Sequence, residues 1–339
     1  MIHVAQIGCG YWGPNLLRNF RSNPSCHVSV VADPNEESLA RIQDTYPDQT
    51  VTCDTNQVLD DPSIDAVVIA APARLHHALA KSAIQAGKDV LVEKPLALTH
   101  REGLELVEAA DAAGRILMVG HILEYHPAIR KIRDILDQGD IGHIQYMTSS
   151  RLNLGKIRFE ENVLWSFAPH DIAILQRFAG GPPAQVMATG STFLQENTPD
   201  TTHSHLFYPG GTHAHIHVSW LHPFKEQRLV IVGSETMLTY NDVRKELLLY
   251  PHTIDISCEQ PAIAIRSEPQ PIPYPQEEPL ALECEGFLRA IQTRQAPLTD
   301  GRSGLDVLLT LQALQHSMDR DGERTALDDI ASQATSCQT

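Results

Sequence analysis

Cysteine is sparse and unpatterned: the 339 residues hold six, Cys9, Cys26, Cys53, Cys258, Cys284 and Cys337, none in CxxC spacing. Neither a zinc ribbon nor a disulfide framework is signalled, and a reducing compartment is expected. No run of about 18 apolar residues occurs, and no basic segment precedes an apolar one at the N-terminus, so neither a membrane span nor a secretion signal is expected. Positive charge is also scarce. Against 42 Asp and Glu stand 26 Lys and Arg, a formal net charge of −16, and a broadly acidic surface repels nucleic acid and anionic membrane alike. These absences leave a cytoplasmic protein with a small-molecule partner, and one small anion held by a few local donors stays compatible with them. Repeats and low-complexity segments are missing too, apart from the proline-rich SEPQPIPYPQEEP (267–279), read as an extended linker.

What is present is an ordinary globular composition, 42% hydrophobic and 20% charged, long enough for two domains with cores of their own. Residues 1–121 read as the first. The apolar run Ile2 to Ile7 passes into GCGYWG, which sets Gly8, Gly10 and Gly13 in GxGxxG spacing, with Tyr11 and Trp12 between them. A helical stretch follows, then the apolar run HVSVVAD ending at Asp33, 20 residues past Gly13 (33 − 13). Glycines let the backbone turn and approach a pyrophosphate at a helix N-terminus, and the acid bonds the adenosine ribose hydroxyls. A carboxylate at Asp33 repels a 2′-phosphate, so NAD is favoured over NADP. Apolar strands then alternate with helices: 66–72, 89–95 and 116–120 against about 75–86 and 99–113. That alternation predicts an α/β doubly wound parallel sheet, with ligands beyond its strand ends. Three such ends carry candidate cofactor contacts: Ala71, Pro72 and His76; Glu93 and Lys94; His121.

The combination of this fingerprint with AAPARLHHALA, VEKPLAL and VGHILEYHPA resembles the Gfo/Idh/MocA oxidoreductase family over residues 1 to about 250. The resemblance implies NAD as cofactor, a substrate domain built on an open sheet used for dimers or tetramers, and a catalytic pair. Its lysine of EKP is Lys94. Its histidine on a helix of the second domain is His170.

Residues 122–339 read as that second domain, α+β, with a large, mostly antiparallel sheet, and with C-terminal helices near 280–294 and 303–318 returning to the first domain. PHD at 169–171 looks like a helix start, which puts His170 in a first turn, where free N–H groups disfavour its protonation. RLNLGKIR places Arg151, Asn153, Lys156 and Arg158 on or beside the segment leading there. Three cations so close serve either as a phosphate clamp or as solvated charges paired with Glu160 and Glu161. RLNLGKIR, ENVLWSFAPHDI and GHILEYHPA are similar to the branch of the family that oxidises C3 of UDP-N-acetylglucosamine or of its uronate, which feeds 3-aminosugar pathways such as lipid A biosynthesis. That comparison favours the clamp, and it implies Tyr125, Trp165 and Asp171 as further substrate contacts. His121 and Tyr125 read equally as packed linker residues.

The strand GTHAHIHVSW sets His213, His215 and His217 on one face. Along a single strand they span roughly 13 Å, too long for one tetrahedral metal, so no metal site is expected and a polar face or subunit interface is preferred. Lys94 and His170 are both credible bases for alcohol oxidation, Lys94 polarising the oxygen and His170 taking the proton, or the reverse. Many family members carry an aspartate four residues before the histidine, where this chain has Ser166. That shifts weight to Lys94, or to Asp171 as the orienting acid. An inositol or simple-sugar dehydrogenase, which needs no clamp, and a non-catalytic NAD-binding regulator are the competing readings.

Overall fold

A computed structural model describes residues 1–155, 157–158, 161–251, 253–255 and 263–336. The chain divides into two compact units, Met1–His126 with Glu277–Leu308, and Pro127–Gln276 with Leu309–Thr339.

In the first unit, β1 (Ile2–Ile7), α1 (Gly13–Ser22), β2 (Cys26–Ala32), α2 (Glu36–Thr45), β3 (Val51–Thr52), α3 (Asn56–Leu59), β4 (Ala66–Ile69), α4 (His76–Gln85), β5 (Asp89–Glu93), α5 (His100–Ala113) and β6 (Leu117–Gly120) follow in order. The sheet order β3-β2-β1-β4-β5-β6 is all parallel. β4 and β6 are buried at every residue, as a sheet covered on both faces requires. Local signals set the helix ends. Thr99 and Glu102 form a reciprocal capping box at the start of α5, and Gly114 closes it in the left-handed conformation (φ 61°).

The later helix α8 (Pro279–Thr293) belongs to this unit. Phe287 meets Phe20 of α1 edge-to-face at 6.3 Å, both in a core with Leu16, Leu17 and Tyr125. Each such buried ring contributes about 1.5–3 kcal/mol. Arg294, at the end of α8, holds Asp89 through two hydrogen bonds (2.7 and 3.1 Å) and donates to Gly114 O (2.6 Å).

The second unit begins with α6 (Pro127–Gln138), β7 (Ile144–Leu154), α7 (Val163–Ala179), β8 (Gln185–Ser191), β9 (Thr201–Phe207), β10 (His213–Ser219), β11 (Leu221–Gly233), β12 (Met237–Asn241) and β13 (Glu246–Tyr250). The small pair β14 (Thr253–Asp255) and β15 (Ile263–Ile265), then β16 (Gln270–Pro271), complete the run before α8. After α8 come α9 (Gly301–Met318), β17 (Thr325–Ala326) and α10 (Leu327–Ser336). Among the described residues the sheet order is β16-β13-β12-β11-β7-β10-β9-β8-β17, antiparallel except for β10 beside β7. Both expected sheets are thus present. The proline-rich stretch is more than a linker, since Gln270 and Pro271 pair with Leu249 and Leu248 of β13.

Buried and exposed residues alternate along β9 and β10. Thr202, Ser204, Leu206, Ala214, Ile216 and Val218 point inward, and the histidines point out. No described helix is long and apolar enough to cross a membrane.

Candidate active site

The glycine loop divides its labour in a way that backbone sterics explain. Gly8 has φ +97°, and a Cβ there would lie 2.5 Å from Ala70 O. A Cβ on Gly13 would lie 2.5 Å from Gly8 O, while one on Gly10 would meet nothing within 4 Å. Gly8 and Gly13 are therefore glycine because the chain is crowded. Gly10 is glycine beside open space, as close approach of a pyrophosphate requires. Gln6, which sequence reasoning passed over, braces the turn by donating to Gly8 O (2.8 Å) and Gly13 O (3.0 Å). Asp33 accepts from the backbone N–H of Cys9 (2.7 Å) and of Asn35 (2.9 Å), which fixes its carboxylate at the end of β2. Helix α1 opens at Trp12 with no side-chain cap, so its first N–H groups have no side chain competing with a phosphate. These residues fit a dinucleotide.

Two more strand ends complete the rim of this unit. Lys94 follows β5 directly, half-buried, ahead of a cis peptide to Pro95. Glu93 beside it accepts from Trp12 Nε1 (2.6 Å) and from the Lys94 backbone N–H (3.2 Å). Burial pushes the Glu93 carboxyl up to about 7, against the pull of Lys94 and the Trp12 bond. Gly120, its neighbour across β6, has no room for a side chain, because a Cβ would sit 2.9 Å from Glu93 Oε2.

His76, among the expected cofactor contacts, lies below the rim. Its ring is buried, with Nδ1 2.7 Å from Pro95 O and Nε2 2.8 Å from Ala71 O. Its ring packs between the Ala71–Pro72 turn and the Lys94–Pro95 turn, and as a neutral imidazole it donates to one of the two carbonyls. Burial lowers its protonation, outweighing the two carbonyls that favour it. His121 is likewise buried, and Tyr11 is exposed. Tyr125 takes the packed one of its two expected settings. It is 1% exposed, its hydroxyl sits near Met118 Sδ (3.7 Å) and Thr299 Oγ1 (3.4 Å), and it packs against Gly286. A side chain so enclosed is part of the core.

In the second unit the helix carrying His170 starts earlier than PHD suggested. Asn162 caps α7 by accepting from the Trp165 N–H (3.2 Å), and Pro169 lies inside the helix. His170 therefore sits about two turns in, half-buried, and the free N–H groups invoked for a first turn are not beside it. Asp171, one residue on, is 1% exposed and already engaged. It accepts from Arg151 Nε (2.8 Å), Arg151 Nη2 (3.0 Å) and Ser149 Oγ (2.7 Å). A two-pronged buried pair of this kind commits both partners.

Of the three cations of the expected clamp, only Arg151 is held in a buried pair among the described residues. Arg151 is locked to Asp171, Arg158 pairs with Glu161 (2.8 Å), and Lys156 lies outside the described residues. The Asp171 carboxylate serves Arg151 and Ser149. Trp165 Nε1 donates to Gln315 Oε1 (3.0 Å), which also takes Asn162 Nδ2 (2.8 Å). Asn153 is half-buried near the end of β7. Asp200 was missed by sequence reasoning: fully buried, it accepts from Trp220 Nε1 (2.6 Å) and from the Phe193 and Leu194 N–H groups. A lone aspartate in a polar loop, ENTPD, gave no signal.

Residues 2–121 match the family described as "Oxidoreductase family, NAD-binding Rossmann fold", and residues 129–239 match the "GFO/IDH/MocA C-terminal domain". The fold and the glycine-loop site define an NAD-dependent oxidoreductase. The chain belongs to the GFO/IDH/MocA family, whose N- and C-terminal parts it carries in that order.

It is 26% identical over 313 residues to a UDP-N-acetylglucosamine 3-dehydrogenase of Acidithiobacillus ferrooxidans, 91% of this chain and 95% of that one. A solved structure of that dehydrogenase superposes with a TM-score of 0.83 at 25% identity, covering 94% of this chain and 99% of the other. An inositol 2-dehydrogenase of Saccharopolyspora erythraea is 33% identical over 156 residues, 45% of this chain and 46% of that one. Matches to some other curated relatives likewise span about half of those proteins' length.

Proposed function

We propose that the protein oxidises a secondary hydroxyl of a sugar, with Lys94 and His170 acting on the reacting group. The observation that carries this is the setting of Lys94, held at the end of β5 in an NAD-binding domain whose loop is braced by Glu93–Trp12 and by His76. Bound NAD+ supplies the hydride acceptor. Lys94 Nζ polarises the hydroxyl oxygen, and an imidazole nitrogen of His170 takes the proton. Similarity to a UDP-N-acetylglucosamine 3-dehydrogenase over nearly the whole chain supports C3 of that sugar nucleotide as the site of oxidation. The product would be a 3-keto sugar suited to transamination.

A second reading has its own support. With Arg151 committed to a buried pair with Asp171, one of the cations expected to hold a diphosphate is engaged elsewhere, which supports a free sugar or cyclitol. NADH formation at 340 nm separates the two readings, using UDP-N-acetylglucosamine, its uronate, free N-acetylglucosamine and myo-inositol, each with and without 2-oxoglutarate. Turnover confined to the UDP-sugars supports the first reading, and turnover of free sugars or inositol supports the second. Silence with all of them defeats both and leaves an NAD-binding regulator. We further propose that the protein is a homodimer or homotetramer built on the open face of the large sheet.

A further inference from the structure

Two carboxyl groups of the first unit, Glu93 and Glu283, lie within reach of each other's charge, and their surroundings divide one proton between them unequally. Glu93, at the end of β5, accepts from Trp12 Nε1 (2.6 Å) and from the Lys94 backbone N–H (3.2 Å), with the Lys94 charge close by. Glu283, on α8, is fully buried, and among the described residues neither of its oxygens has a donor. The next residue, Cys284, belongs to the core that Trp12 packs against. Tyr125 and Cys284 also face Glu283, both kept protonated by burial, with Glu124 near Tyr125. On α1 the cation Arg18 is taken by Glu278. Two negative charges so close in a dry core repel strongly, so the pair retains one. The donors place that charge on Glu93 and leave the proton on Glu283.

We infer that the single charge of the Glu93–Glu283 pair is the counter-charge for the oxidised nicotinamide ring, so that binding NAD+ releases a proton from the protein and binding NADH releases less. The inference rests on the reading that Lys94 stands where hydride is transferred. Without cofactor the Glu93 carboxylate has the Lys94 cation beside it. The oxidised ring brings a second positive charge to the same strand end, and the reduced ring brings none. Burial pushes the Glu93 carboxyl up to about 7, so it is about half protonated at neutral pH, and added positive charge drives its proton off. Affinity for NAD+ therefore rises with pH through neutrality, while affinity for NADH changes less. The same carboxylate favours the ammonium form of Lys94, which suits it to polarising the hydroxyl oxygen and leaves the proton to His170.

The test uses the cofactor-free full chain and no substrate, so its outcome is separate from that of the turnover assays. Calorimetric titration with NAD+ and with NADH, in phosphate and in Tris, counts protons from the dependence of the heat on the buffer. If ionised Glu93 tightens NAD+ tenfold, about 0.4 proton is released at pH 7 and almost none by about pH 9, with a smaller release for NADH. Glu93→Gln should lose the release. Glu283→Gln, which mimics the neutral form of that group, should keep it. The Trp12 indole N–H, one of three in the chain, donates to Glu93, so its 15N resonance in the cofactor-free wild type should titrate with a midpoint of about 7. That titration decides alone should Glu93→Gln fail to fold. The proposal is overturned if NADH releases as many protons as NAD+, or if Glu93→Gln keeps the release, which would put the proton on Lys94 or His170. It is equally overturned if Glu283→Gln abolishes the release, or if the Trp12 resonance stays flat from about pH 5.5 to about 8.5.

Discussion

Glu283 lies on α8 within the core of the first unit, fully buried, and among the described residues neither carboxylate oxygen has a hydrogen-bond partner. Water removal around it, reinforced by the nearby Glu93 charge, pushes its pKa well above the ordinary 4.5. A carboxyl whose folded pKa is raised binds more protons in the folded than in the unfolded state between the two values. Stability is then fullest below about pH 4.5 and falls as pH rises toward the folded pKa, by about 1.4 kcal/mol per pH unit for one group.

Glu283→Met keeps a flexible side chain of similar length and removes the ionisable group. Replacing a buried polar group that lacks a partner by an apolar one is worth about 1–3 kcal/mol. Urea unfolding at pH 6, 7 and 8 should show the variant more stable at every pH, with the gap widening upward as the wild type alone pays for the retained proton. Glu93, raised to about 7, is coupled to Glu283, so the variant also relieves Glu93 of that neighbour's charge, which adds to the widening of the gap. Parallel stability profiles, or a variant less stable than the wild type at pH 8, would refute the reasoning.

Arg151→Ala leaves the Asp171 carboxylate buried without its cation, a loss of about 3–5 kcal/mol. It should lower the thermal midpoint while KM for a UDP-sugar changes little in protein that stays folded. A large rise in KM with an unchanged midpoint would restore Arg151 as a phosphate ligand. Gly10→Ala meets no atom within 4 Å, so stability should stay within about 0.5 kcal/mol, yet NADH binding followed by fluorescence should weaken because the new methyl stands where the pyrophosphate approaches. Gly13→Ala, whose Cβ falls 2.5 Å from Gly8 O, should lower both stability and binding.

Much of the first unit could be read in advance because its signals are local. Buried parallel strands show as apolar runs, the glycine spacing serves a turn, and Asp33 stands at a fixed distance beyond it. Short elements escaped: β3 and α3 are too brief for periodicity to declare them. The second unit depended on pairings that a linear reading does not contain. Arg151 and Asp171 are 20 residues apart and meet only because β7 and α7 pack together. Of the line His213, His215 and His217, the last two face His205 and His203 once β9 lies alongside, while His213 faces Phe207.

The misplaced helix start has a similar cause. Pro169 at the head of PHD carries a strong N-terminal signal, but Asn162 offers a better cap, and a helix tolerates an internal proline where other contacts repay its missing N–H. Tyr125 looked like a pocket residue because it follows a strand end, and only its contacts with Thr299 and Gly286, more than 150 positions away, show it to be core.

The central claim is that Lys94 takes part in hydride transfer rather than in holding the fold or the cofactor. The most direct measurement is NADH formation by Lys94→Ala with the substrate that the wild type turns over, alongside NADH binding by the same protein. Turnover should fall by a factor of at least about 100, with NADH bound as in the wild type. Turnover within a few-fold of the wild type would contradict it.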